Sequence, residues 1–197
     1  KMEHSRMGTL DKGYKFVKNF LTKEELNILR DYSLIFHRFN FSNFCGSEVS
    51  HNRDTWVYED KVMESLLKNK TEKMEQETGL KLFPTYSYWR FYTRNAVLEK
   101  HSDRPSCEIS VTVCLYSDGT KWPINVGGTY IDTDPGDAVI YKGVEYEHFR
   151  DEFKGDGQAQ VFLHYVDQNG PYKHHKFDTR PDLGYPVSTQ DINRWRT

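Results

Sequence analysis

The run Cys107-Glu108-Ile109-Ser110-Val111-Thr112-Val113-Cys114-Leu115 alternates apolar and polar side chains at a period of two. That pattern marks a strand with two unlike faces. Ile109, Val111, Val113 and Leu115 share one face, and Ser110, Thr112 and Cys114 share the other. One face is therefore expected against a core and the other along a cavity. Further strands are expected at the aromatic run Tyr86–Tyr92 and at 128–132, 138–141 and 158–166. Turns at Asp118-Gly119, Gly127-Gly128 and Asp134-Pro135-Gly136-Asp137 separate them. Short strands with such punctuation predict a β-sandwich or barrel.

The first third reads differently. Thr22 can cap a helix, Glu25 can complete a capping box, and Leu21 can staple onto Leu26. Leu26, Leu29 and Tyr32 then form an apolar stripe. Residues 34–58 show no clean period and read as an aromatic-rich loop region. A second helix is expected from about Asp60 to Glu77, with Val62, Leu66, Leu67 and Met74 inward and Gly79 ending it. Helices first and strands after predict an α+β fold. The whole of 1–197 is expected as one domain: helical support over 14–80, a β-core over 81–167, and an irregular tail over 168–197.

Composition narrows the function. The net charge of −2 gives no basic field for nucleic acid. The 15% aromatic content suits strands and a pocket with polar-tipped walls. Cys45, Cys107 and Cys114 are an odd, sparse set, expected as reduced thiols in an intracellular, cytoplasmic protein. On one straight strand, Cys107 and Cys114 would sit roughly 23 Å apart, too far to bond. No apolar run approaches the ~20 residues of a membrane span, and no signal peptide is evident.

The candidate chemistry lies at His101-Ser102-Asp103 and at His148. On extended backbone, positions i and i+2 point the same way, so one strand end presents an imidazole and a carboxylate together. A third ligand from a neighbouring strand would complete a facial triad of two histidines and one carboxylate, a geometry that suits non-heme iron(II). A chain with 8 His and 29 acidic residues makes a His-x-acid pair by chance, so context carries the weight. The pair lies between expected strands, and Gly136-Asp137-Ala138-Val139-Ile140-Tyr141 leads toward His148.

With these residues the stretch from about Tyr86 to Val166 resembles the core of the 2-oxoglutarate/iron(II) oxygenases, in particular the prolyl 4-hydroxylase-like group. The likeness rests on Tyr92 upstream of His101, the His-x-Asp itself and the Cys-Glu-Ile-Ser-Val-Thr strand. It rests further on Pro135-Gly136-Asp137, the distal His148 and the final strand Gln160-Val161-Phe162-Leu163-His164-Tyr165. It implies a jelly-roll-like double-stranded β-helix with N-terminal supporting helices. It implies iron(II) on His101, Asp103 and His148, with 2-oxoglutarate and O2 as cosubstrates and ascorbate as a supporting reductant. The implied reaction hydroxylates a C–H bond while 2-oxoglutarate is decarboxylated to succinate. Its substrate would be a peptide or protein, a prolyl residue among the candidates, or a small molecule.

The chain departs from the family at one point. The family places a basic residue about ten positions after the distal His, where this sequence has Gln158, with Gln160 following. A partly buried dicarboxylate needs a cation partner. Arg150 shares the face of His148 and is the expected anchor, with Tyr92 hydrogen-bonding the cosubstrate and Gln158 and Gln160 as further contacts. Arg104 is expected to point away from the metal, toward substrate or a structural ion pair, with Arg94 and Lys100 as other cations in reach. His164 reads as a core histidine and His174-His175 as a solvated pair. The uncharged position 158 keeps open a cupin-like metalloprotein that does not use 2-oxoglutarate. A non-catalytic β-sandwich binding module is the third alternative. Oligomeric state is not legible.

Overall fold

The computed structural model describes residues 10, 12–43 and 54–186. Its elements are β1 (Tyr14–Val17), α1 (Lys23–Asn43), β2 (Thr55–Tyr58), α2 (Lys61–Thr78), β3 (Leu82–Tyr92), β4 (Leu98–His101), β5 (Ile109–Ser117), β6 (Ile124–Val126), β7 (Thr129–Ile131), β8 (Ala138–Tyr141), β9 (His148–Arg150) and β10 (Gln158–Asp167).

The helix starts follow from their capping residues. The Thr22 hydroxyl accepts from the Glu25 amide at 3.1 Å, and the Glu25 carboxylate accepts from the Thr22 amide at 3.0 Å. This reciprocal box satisfies donors that the first turn would otherwise leave open. Asp60 caps α2 by accepting from the Val62 and Met63 amides, and Gly79 ends it at φ 72°. Two expectations need correction. The helix α1 runs through 34–43, part of the stretch read as loop, and β2 occupies 55–58; residues 44–53 lie outside the described residues. Val62 is exposed, and Met63 takes the inward position beside Leu66, Leu67 and Met74.

The strands form two antiparallel sheets. The larger has the order β1-β8-β5-β10-β3-β2, the smaller β4-β9-β6-β7. The expected α+β fold and double-stranded β-helix are thus present. Strand alternation decides what each face meets. Ile109, Val111, Val113 and Leu115 of β5, with Ala159, Val161, Leu163 and Tyr165 of β10, join one cluster with Leu29, Met63, Leu66, Leu67 and Met74 of the helices. The opposite face carries Ser110, Thr112 and Cys114 of β5, all buried. Their β10 partners are His164, Phe162 and Gln160, and Gln158 follows opposite Ser117. This face turns toward the smaller sheet: Ile124, Val126 and Ile131 of that sheet cluster with Val139 and Tyr141 of β8.

Cys107 falls in a 3₁₀ turn, Pro105–Cys107, before β5 begins. The straight-strand separation inferred for Cys107 and Cys114 therefore does not apply, but both are buried free thiols. The tail is largely irregular, as expected. Over Lys173–Thr179 it forms a broken 3₁₀ turn, with Phe177, Asp178 and Thr179 all at positive φ. No described helix is long and apolar enough to cross a membrane.

Candidate metal centre

The topology brings the sequence-distant candidate ligands together. β4 pairs with β9, and in that register His101 lies opposite His148. Asp103 follows two residues beyond His101, and its amide donates to the Gly143 carbonyl at 2.8 Å. The Asp103 Oδ1 lies 3.2 Å from His101 Nε2 and 3.3 Å from His148 Nε2. Ligands at right angles around one ion, each about 2.0–2.2 Å from it, lie about 3 Å apart, so these separations fit a single cation.

The outer ring nitrogens are also committed. His101 Nδ1 lies 2.7 Å from the Glu99 carbonyl oxygen, and His148 Nδ1 lies 2.9 Å from that of Tyr146. A carbonyl can only accept, so each Nδ1 carries a proton and each Nε2 is available to a metal. Without an ion these contacts act on protons. The bond to Asp103 raises the His101 pKa, against the pull of burial. Burial alone would raise Asp103, but bonds from His101 and His148 outweigh it and hold the carboxyl well below its usual range. Asp103 Oδ2 is buried and has no partner among the described residues. Three convergent ligand atoms of this kind are what a divalent cation would hold together.

Gly143 matters here, and nothing in the sequence marked it. A Cβ at this position would collide with Asp103 Oδ2 and lie 2.6 Å from the Cys107 carbonyl oxygen. The Asp103 carboxylate occupies the space that any side chain at 143 would need.

Behind the triad sits Arg150, 1% exposed. Its Nη1 donates to the Trp122 carbonyl, and its guanidinium lies 5.1 Å from the Trp122 ring centroid. Its Nε and Nη2 are buried with no partner among the described residues. Burial pulls its pKa down, opposed by Tyr92, Cys114 and Tyr141 nearby. Tyr92 is buried and meets Trp122 edge-on at 4.8 Å. Gln158 lies opposite Tyr92 in the β10–β3 register. Gln160 donates to the Gln158 side chain at 3.3 Å and accepts from Thr112 at 3.0 Å. Tyr141, which the sequence reading passed over, lies 4.7 Å from the His148 ring. Burial, then the Asp103 charge, pushes its phenol well above its usual pKa.

The other cations are engaged elsewhere. Arg104 makes a bidentate pair with Asp178 of the tail, at 2.6 and 2.7 Å, the structural ion pair considered for it. Tyr58 and the Ser106 hydroxyl also donate to Asp178, each at 2.6 Å. Arg94 pairs with Asp156, and Lys100 with Glu147, both at the surface. His164 is buried as expected of a core histidine, but it lies on the face of β10 opposite the helices: its Nδ1 is 2.7 Å from Ser110 Oγ. Burial, opposed by Asp103, pulls it down to about 4.

No protein-family model and no curated protein sequence matches the chain. Solved structures do. A 2OG-Fe(II) oxygenase family oxidoreductase from Burkholderia pseudomallei superposes with a TM-score of 0.61 at 13% identity, over 84% of this chain and 89% of that one. A Pseudomonas putida prolyl-4-hydroxylase gives 0.57 at 16% identity, over 82% and 98%. The α-ketoglutarate-dependent carbocyclase SnoK from nogalamycin biosynthesis gives 0.66 at 11% identity, over 98% and 90%. The fold is that of the 2OG-Fe(II) oxygenase structures.

Proposed function

We propose that this chain is an iron(II)- and 2-oxoglutarate-dependent oxygenase that hydroxylates a C–H bond, with His101, Asp103 and His148 holding the metal. The observation that carries the reading is the convergence of both Nε2 atoms on Asp103 Oδ1, at 3.2 and 3.3 Å, beside a buried carboxylate oxygen without a partner. Iron(II) held by His101, Asp103 and His148 would supply the oxidising chemistry, coupled to decarboxylation of 2-oxoglutarate to succinate.

The chain's own residues bind and orient. The Glu99 and Tyr146 carbonyls fix the two imidazoles with Nε2 inward. Arg150 is the cation for the far carboxylate of 2-oxoglutarate: it is buried, on the face of His148, with Nε and Nη2 open to a carboxylate fork. A cation there answers the lack of charge at Gln158 and Gln160, which together with Tyr92 are the polar wall for the same group. The aromatic packing of Tyr92, Trp122 and Phe153 keeps water from that end. Arg104 is held by Asp178 and serves the tail. The substrate is a peptide or a small molecule. The likeness to a prolyl-4-hydroxylase keeps a prolyl residue among the candidates, and the carbocyclase SnoK shows how broadly the fold is used.

The test is succinate formation by anaerobically purified protein given iron(II), ascorbate, O2 and 2-oxoglutarate. Succinate that disappears in His101→Ala is the expected result. Metal-induced stabilisation without any response to 2-oxoglutarate would transfer the reading to a cupin-like metalloprotein. No response to either ligand would leave a non-catalytic binding module.

A further inference from the structure

We propose that Asp103, Cys107 and His164 form a second cation site, for a soft divalent ion of the zinc class, sharing the Asp103 carboxylate with the triad. The proposal does not depend on the chain's being an oxygenase.

One ligand atom from each of the three residues lies within 4.8 Å of the other two. They come from separate parts of the chain. Asp103 ends the β4 loop, Cys107 closes the 3₁₀ turn Pro105–Cys107, and His164 sits on β10 opposite Ser110 of β5. The two carboxylate oxygens of Asp103 face different surroundings. Oδ1 meets His101 and His148. Oδ2 is buried and has no partner among the described residues.

Ser110 links His164 to the Cys107 turn. Its hydroxyl lies 3.1 Å from the Cys107 carbonyl, to which it can donate, and 2.7 Å from His164 Nδ1. In the tautomer where Ser110 serves the carbonyl, Nδ1 carries the proton and Nε2 offers its lone pair to a metal. A ring nitrogen of His164 and a carboxylate oxygen of Asp103 thus lie within 4.8 Å of each other, and Asp103 Oδ2 is buried without a partner among the described residues. Burying such an acceptor unmatched is costly. A cation satisfies both and recruits the third neighbour, because a coordinating thiol is deprotonated outright.

The donor set selects the ion. Thiolate with imidazole and carboxylate suits zinc or cobalt, whereas calcium and magnesium prefer all-oxygen cages. The Tyr86 hydroxyl lies 3.1 Å from Cys107 Sγ, close enough to support the sulfur. A thiolate in one site and none in the other makes the two optically distinguishable.

The experiment titrates metal-free full-length protein with cobalt(II), following bound metal and the ultraviolet thiolate-to-cobalt charge-transfer band. The wild type should take up a second equivalent and develop the band. His101→Ala should keep the band. Cys107→Ser should lose the band and one equivalent. His164→Gln removes the ring nitrogen but leaves the thiol, and should weaken the band's midpoint at least tenfold, whatever the folding yield of Cys107→Ser. A single equivalent without the band would overturn the proposal, and would mean that an ordinary hydrogen-bonded water joins Oδ2 to His164. A band that survives in Cys107→Ser would overturn it equally, by assigning the sulfur to another cysteine.

Discussion

Replacing Arg150 with Met separates a binding role from a structural one, because the two predict opposite signs. In the metal-free protein Arg150 is a buried cation with Nε and Nη2 unmatched among the described residues. Retaining a buried ion costs several kcal/mol, of order ~3, even after relaxation. Against that, Arg150→Met leaves the Trp122 carbonyl without its donor, a loss of about 1–3 kcal/mol, and forfeits the contact with the Trp122 ring. These terms nearly cancel or favour Met. We expect the ligand-free variant to be as stable as wild type or about 1–2 kcal/mol more stable. The ligand response should move the other way. With manganese(II) present, 2-oxoglutarate at about a hundred times its Kd should stabilise the wild type by about 2.7 kcal/mol. For a chain of 197 residues that is a rise of roughly 5–11 °C in Tm, and Arg150→Met should abolish most of it. The assay is thermal unfolding of both proteins with manganese(II), with and without 2-oxoglutarate. A variant that melts well below wild type yet keeps the full 2-oxoglutarate shift would refute the reasoning and make Arg150 a packing residue.

Two further perturbations probe other parts of the site. Gly143→Ala should displace Asp103, because the added methyl would overlap its Oδ2; overpacking of this kind costs about 1–3 kcal/mol, and manganese(II) affinity in a calorimetric titration should fall about 10–100-fold, as when a ligand's support is disturbed. Asp178 gives a pH test: burial would raise its pKa, but Arg104 and its other donors hold it below the usual value. Its contribution is therefore complete above about pH 4 and is lost as pH falls through the lower folded pKa. Denaturant midpoints should drop as pH falls below about 4 in wild type, and the Asp178→Asn variant should show a smaller drop from a lower starting point.

The parts legible in the sequence are those where a local pattern and a tertiary demand agree. The alternation in 107–115 assigned the two faces of β5 correctly, because the helices and the smaller sheet ask for different chemistry on each. Thr22, Glu25 and Gly79 located helix ends through interactions within one turn. The C-terminal half of α1 was hidden for a physical reason: Ile28, Ile35 and Phe39 are exposed, so apolar residues on both faces blur the helical period. The strands β4 and β9 carry His101 and His148, yet Leu98–His101 and His148–Arg150 are too short to show any period. Pro105 started a turn that delayed the strand to Ile109. Gly143 and Tyr141 owe their importance to contacts with Asp103 and His148, residues far from them in sequence or on another strand. No single-sequence pattern reports such contacts. The placement of His164 on the same face as Gln158 and Gln160 was readable by parity, but an isolated histidine in an apolar run resembles core.

The alternation along β10 has a consequence for how this protein could change. Even-numbered positions present Gln158, Gln160, Phe162 and His164 on the face away from the helices, while Ala159, Val161, Leu163 and Tyr165 hold the sheet to the helices. The two sets are separately editable by substitution: a new polar lining can be written on the even positions without disturbing the helical packing. Insertion or deletion of one residue has no such freedom, since it moves both glutamines and the histidine into the apolar layer at once. Divergence of specificity along this strand should therefore proceed by point replacement at alternate positions, with its length held fixed.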